Sequence, residues 1–135
     1  MIMQLKSSGQ PAGRRLPHLV VVDDDPSIRE ICVDVLNSEG YDVSTADNGR
    51  EAVDLLASEP ADLVLMDIMM PVMDGVAACK LIRENEQTRD IPVVIMSASN
   101  NIHSRISELQ CVASAVVPKP FDLDQLLATV RHFVA

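Results

Sequence analysis

The sequence predicts an α/β fold: a doubly wound, five-stranded parallel sheet with helices on both faces. Three observations carry that expectation. From Pro17 onward, short aliphatic runs alternate with segments of helical periodicity, the pattern of βαβ units. Runs such as Leu19-Val20-Val21-Val22 and Leu63-Val64-Leu65-Met66 are apolar without interruption, as in strands covered on both faces. Polar residues of distinct chemistry close the runs: Asp23-Asp24-Asp25 after the first, Asp67 after the second, Ser97 after Val93-Val94-Ile95-Met96, and Lys119 after Ala115-Val116-Val117-Pro118. In open α/β sheets, ligands bind at the carboxyl ends of the strands.

The elements follow in order. The first strand spans about 19–22. Asp25 is a candidate N-cap with Pro26 in the first helical turn. Ile28, Ile31, Cys32, Val35 and Leu36 then recur at helical spacing until Gly40 stops the helix. Residues 41–46 read as a second strand. Asn48-Gly49 opens a helix to about Ser58, with Ala52, Val53, Leu55 and Leu56 on one face and Pro60 beyond it. Residues 61–66 form the third strand, and Asp74-Gly75 opens a third helix to about Asn85. Residues 91–96 form the fourth strand, with Pro92 tolerated at its start. A helix over 100–110 is expected from the alternation and from Ile102, Ile106 and Leu109, although Asn100, Asn101, His103, Ser104 and Ser107 form helices poorly. Residues 112–117 form the fifth strand. Asp122 caps a last helix with Leu123, Leu126, Leu127, Val130 and Val134 on one stripe.

At 135 residues the chain forms one domain over 17–135, preceded by a flexible tail, 1–16, rich in small and turn-forming residues. With 47 % hydrophobic and 2 % aromatic residues, its core is aliphatic. The net charge is −9, and all 20 acidic residues lie at or after Asp23. The tail carries only Lys6, Arg14 and Arg15, so the remainder holds 8 basic residues against 20 acidic ones. Such a body repels nucleic acid and anionic lipid. No apolar stretch reaches the roughly 18 residues of a membrane span. Cys32, Cys79 and Cys111 stand apart with no zinc spacing, and Cys32 lies on an apolar helical stripe as a packing thiol. This usage fits a reducing cytoplasm. His18, His103 and His132 fall outside every motif and read as surface or packing residues.

Clustered carboxylates resist ionising together unless a cation sits among them. A shared edge bearing Asp23, Asp24, Asp67, Ser97 and Lys119 suits a small hard cation and a phosphoryl group. Each residue alone has a plainer reading: Asp25 as a helix cap, Asp74-Gly75 as a turn, Ser97 as a strand-end residue, Lys119 as a solvated lysine. Their joint placement makes the case.

The segments Val21-Val22-Asp23-Asp24-Asp25-Pro26, Asp67 to Gly75, Ser97-Ala98 and Lys119-Pro120-Phe121 together resemble the receiver domain of two-component response regulators, over about residues 17–135. The resemblance implies a flavodoxin-like strand order, 2-1-3-4-5. It implies that Asp67 is the phosphoacceptor, attacking a phosphoryl group to become an acyl phosphate. It makes Asp23, Asp24, Asp67 and the backbone carbonyl of Met69 the ligands of Mg²⁺, Asp23 through water. Lys119 would pair with phosphoryl oxygens, Ser97 would hydrogen-bond one of them, and the Lys119-Pro120 bond would be cis. Mg²⁺ and Lys119 would balance the three carboxylates, as phosphoryl transfer by positioning and charge cancellation requires.

The implied partners are a sensor histidine kinase or phosphotransfer protein and a downstream protein target. A phosphorylation-dependent homodimer is one form of output, and neither nucleic acid nor membrane is expected to bind. The chain would be a cytoplasmic switch that catalyses only its own phosphorylation and dephosphorylation. Two departures bear on the output. Val116 stands where many receivers carry an aromatic, and Val112-Ala113 replaces a frequent Gly-Ala pair. Activation is therefore expected to run through Ser97 and the loop after it. Other classes fit less well. A Mg²⁺-dependent aspartyl phosphatase would show Asp-x-Asp, and Met69 occupies the second position here. Nucleotide-binding glycine motifs are absent. A receiver-like module that never takes phosphate would usually have lost an acidic or lysine position, and none is lost.

Overall fold

The computed structural model describes residues 16–98, 113–119 and 122–134. The elements are β1 (His18–Val22), α1 (Pro26–Ser38), β2 (Asp42–Ala46), α2 (Gly49–Ser58), β3 (Leu63–Asp67), α3 (Gly75–Glu84), β4 (Val93–Ala98), β5 (Ala115–Lys119) and α4 (Leu123–Val134). The expected helix over 100–110, the tail up to residue 15, Pro120 with its expected cis bond, and Cys111 and His103 lie outside the described residues. The five strands are all parallel, in the order β2-β1-β3-β4-β5. This is the doubly wound order expected.

Strand alternation explains the uninterrupted apolar runs. Successive side chains point to opposite faces, and both faces are covered. Leu19, Val21, Leu63, Leu65, Val94 and Met96 pack with Cys32 and Leu36 of α1 and with Leu126 and Val130 of α4. Their neighbours Val20, Val22, Val64, Met66, Val93 and Ile95 pack on the other face with Ala52 and Leu56 of α2 and Val76, Cys79 and Ile82 of α3. Cys32 and Cys79 are thus core residues, and burial pushes both thiols up to about 11.

Helix α1 begins and ends as its sequence predicts. The Asp25 side chain accepts from the Ser27 backbone N–H at 2.9 Å. Gly40 takes φ +91° just past the helix, where a side chain would be strained. Among the histidines, His18 is buried at the start of β1. Its Nδ1 lies 2.8 Å from the Pro60 carbonyl and its Nε2 lies 2.8 Å from Ser44 Oγ. His132 is exposed on α4.

The strand limits are a correction. Strands β3, β4 and β5 were expected to stop at 66, 96 and 117, where apolarity ends. Instead they run on through Asp67, Ser97 and Lys119. The parallel ladder continues past the apolar runs, pairing Asp67 with Met96, Ser97 with Pro118 and Ala98 with Lys119. Pro118 lies inside β5 at the edge of the sheet, the place in a sheet where proline is tolerated because alternate N–H groups of an edge strand make no ladder bond. The polar residues of interest therefore sit on paired backbone.

Candidate functional site

Asp23 directly follows β1, and its N–H donates to the Ala46 carbonyl of β2 at 3.2 Å. Its side chain is fully buried, and both carboxylate oxygens are engaged. Oδ1 accepts from the Asp25 N–H at 2.9 Å, and Oδ2 accepts from Lys119 Nζ at 2.8 Å. Asp67 closes β3 and is 8 % exposed, with Oδ1 3.4 Å from the same ammonium. Asp24 is exposed beside them. One oxygen from each of Asp23, Asp24 and Asp67 lies within 4.8 Å of the others. Ser97 is buried on β4, between the strands that end in Asp67 and Lys119. The strand ends therefore gather the residues read from the sequence as one set. Met69, assigned a ligand carbonyl by resemblance, lies two residues past Asp67 with an exposed side chain.

Charge is unbalanced within this cluster, with three carboxylates facing one ammonium. Burial and the nearby Asp23 raise the Asp67 carboxyl above the ordinary carboxylate range, with Lys119 opposing. For Lys119, burial disfavours the ammonium, but hydrogen bonding to Asp23 and the charges of Asp67 and Asp23 outweigh it, and its pKa is raised. The edge thus holds a firmly protonated lysine, a reluctant carboxylate and an excess of negative charge. Such a site gains by taking up a cation.

Two supports were not legible in the sequence. Gly75 opens α3, as the sequence reading of Asp74-Gly75 as a turn and helix start implies, but its close approach to the backbone of β3 has no sequence signal. A Cβ here would lie 2.5 Å from the Asp67 carbonyl oxygen and 2.9 Å from Ile68 Cα, so no other residue lets the helix approach. Its N–H donates to the Ile68 carbonyl at 2.9 Å, and Asp74 caps the helix by accepting from the Ala77 N–H. Arg29, by sequence one polar residue of an amphipathic helix, donates from Nη1 to the Asp23 carbonyl at 2.6 Å. Its i+4 offset from the Asp25 cap was the available signal.

The loop from Asp67 to Gly75 also carries strain. Val72 has φ +69° and is 81 % exposed. A β-branched residue in this region is an outlier that local packing does not repay. Val72→Gly is expected to stabilise the protein by about 1 kcal/mol, the order of one relieved left-handed strain. Urea denaturation would check it, and a destabilised variant would refute it.

Comparison with known proteins agrees with this geometry. A family model described as response regulator receiver domain matches residues 19–131. The response regulator MprA of Mycolicibacterium vanbaalenii is 40 % identical over 113 residues, covering 84 % of this chain and 48 % of that protein. The chain therefore spans about half the length of the curated relatives it matches. Among solved structures, the chemotaxis protein CheY4 of Vibrio cholerae superposes with TM-score 0.82 at 30 % identity, covering 88 % of this chain and 99 % of that one. The receiver domain of a sensor histidine kinase from Pseudomonas aeruginosa, which has a magnesium ion coordinated in its active-site cleft, superposes with TM-score 0.82 at 28 % identity. That match covers 89 % of this chain and 98 % of the other.

Proposed function

The chain belongs to the response regulator receiver domain family, and on that premise we propose that Asp67 is the phosphoacceptor of a Mg²⁺-dependent two-component switch. The observation that carries the proposal is the convergence of Asp23, Asp24, Asp67 and Lys119 at one end of the sheet. The donor set fits the ion. Mg²⁺ prefers oxygens near 2.1 Å, so opposite ligands lie about 4.2 Å apart. Three carboxylate oxygens within 4.8 Å of one another leave room for direct ligands from Asp67 and Asp24 with Asp23 reached through water, and the exposed Asp24 side chain can rotate on its fixed backbone to complete the set. Asp23, Asp24 and Asp67 would hold the ion, with the Met69 carbonyl as a further ligand. When bound, Mg²⁺ supplies charge neutralisation for phosphoryl oxygens.

The chain's own residues do the rest. An Asp67 oxygen attacks phosphorus as the bond to the donor's histidine nitrogen breaks. Its backbone, paired in the ladder and abutted by Gly75, holds that oxygen in place. Lys119, already protonated and 3.4 Å from Asp67, offers its ammonium to the incoming phosphoryl oxygens. Ser97 would hydrogen-bond one of them. The result is an acyl phosphate on Asp67.

The donor class that fits is a histidine kinase or phosphotransfer protein. Because the matched relatives are about twice as long, the downstream target, any dimerisation and any output belong to this proposal too. The chain is read as no enzyme toward other substrates. A cytoplasmic location is part of the same reading, and among the described residues no helix is long and apolar enough to cross a membrane.

Intact mass after incubation with acetyl phosphate, with and without Mg²⁺, tests the proposal. A gain of one phosphoryl group that requires Mg²⁺ is expected. Absence of any gain in the presence of Mg²⁺ would favour a module that binds partners without phosphorylation. The lifetime of the product is a separate expectation. Met69 is apolar and cannot orient an attacking water, so hydrolysis should be slow. Met69→Asn is expected to speed decay of the phosphorylated form severalfold, and an unchanged rate would refute that role.

A further inference from the structure

We infer that Arg29 is a positioning residue for the cation site, acting through the backbone carbonyl of Asp23 to set where the Asp24 carboxylate stands. The inference rests on the receiver reading above. Asp23's side chain is held independently, by the Asp25 N–H and by Lys119. Asp24 is exposed, and its place depends on the peptide that joins it to Asp23. Arg29 Nη1 donates to the carbonyl of that same peptide at 2.6 Å, within charge-assisted hydrogen-bond range.

Arg29 is itself anchored at both ends. Its backbone N–H donates to the Asp25 carbonyl at 3.1 Å, in the first turn of α1. Its Nη1 lies 3.3 Å from Asp47 Oδ1, just beyond β2. Asp47 is tied in turn to α2, since its N–H donates to Glu51 Oε1 at 3.2 Å. The Arg29–Asp47 pair is too exposed on the Asp47 side to stabilise much. Its effect is to keep the guanidinium aimed at the half-buried carbonyl. The ends of β1 and β2 and the starts of α1 and α2 are thereby coupled to one peptide of the acidic loop.

Charge and positioning predict opposite signs, which makes the role testable. By charge alone, removing a cation beside three carboxylates should tighten Mg²⁺ binding. If Arg29 positions Asp24, removing it should loosen binding. Loss of an outer-shell partner typically weakens metal affinity about tenfold or more. The experiment is Mg²⁺ titration by calorimetry on the full chain, for wild type, Arg29→Gln, Arg29→Lys and Arg50→Gln. Among the described residues Arg50 pairs with Asp54 in an exposed contact, and it serves as the charge control. Denaturation midpoints and amide exchange at Asp24 are measured on the metal-free proteins.

The expected result is about tenfold weaker Mg²⁺ binding in Arg29→Gln, partial recovery in Arg29→Lys, no weakening in Arg50→Gln, and faster exchange at Asp24 without metal. Unchanged or tighter Mg²⁺ binding in Arg29→Gln overturns the inference, including the case where only its denaturation midpoint falls. Unchanged exchange at Asp24 contradicts the route through the Asp23 carbonyl. Failure of the wild type to bind Mg²⁺ contradicts the cation site and, with it, this role. A wild-type isotherm that Arg29→Gln leaves intact contradicts the positioning role alone.

Discussion

Lys119→Ala is expected to destabilise the Mg²⁺-free protein by about 3 kcal/mol, the order observed when one partner of a buried ion pair is removed. Lys119 is the ammonium that faces both buried carboxylates, 2.8 Å from Asp23 and 3.4 Å from Asp67. The Asp23 side chain is 1 % exposed, so little solvent compensates for the lost partner. The N–H of Asp25 still bonds Oδ1, but Oδ2 is left without its ammonium. Mg²⁺ should restore part of the loss, because a dication answers the same excess charge. Its stabilising effect is therefore expected to be larger in Lys119→Ala than in the wild type. Urea denaturation with and without Mg²⁺ gives all four stabilities. A loss below about 1 kcal/mol, the value of an exposed pair, would mean that the lysine does not neutralise this edge.

Asp67→Asn is expected to do two things of opposite sense. It should abolish phosphoryl uptake, since an amide oxygen is no nucleophile for phosphorus. It should also stabilise the Mg²⁺-free protein. The folded Asp67 carboxyl is raised by burial and by Asp23, so ionising it is harder in the fold than in the unfolded chain. The wild type's stability then falls as pH rises from the ordinary carboxylate range through the raised folded value. Asparagine removes that decline, so the gain should be present at neutral pH and vanish in acid. Thermal melts of both proteins across pH check this. A variant less stable than wild type at neutral pH would show that Asp67 is not held against charge repulsion.

The parts of the fold that follow from local chemistry were legible in the sequence. The apolar runs located β1, β3 and β4, because a doubly covered parallel strand has no polar face to blur its signal, whereas β2 is half exposed and carries no such run. Asp25, Pro26 and Gly40 bounded α1 because each satisfies or ends a helix terminus by itself. The strand ends were not legible. The ladder that carries Asp67, Ser97 and Lys119 is set by the neighbouring strand, and side-chain hydropathy does not report it. The acidic cluster was visible because four motifs fell at four strand ends. The roles of Gly75 and Arg29 were hidden because they arise from contacts between segments far apart or offset by a turn: α3 against β3, and a guanidinium on a carbonyl. The left-handed Val72 had no sequence signal, since valine is the last residue expected there.

The central claim is that this sheet edge exists to place a phosphoryl group on Asp67. The most direct measurement is hydride trapping of the acetyl-phosphate-treated protein followed by peptide mapping, since reduction of an aspartyl phosphate leaves homoserine at the modified position. The account predicts homoserine at position 67 alone, formed only when Mg²⁺ was present during phosphorylation. Homoserine at position 24, or a stable phosphate on Ser97 with position 67 unchanged, would contradict it.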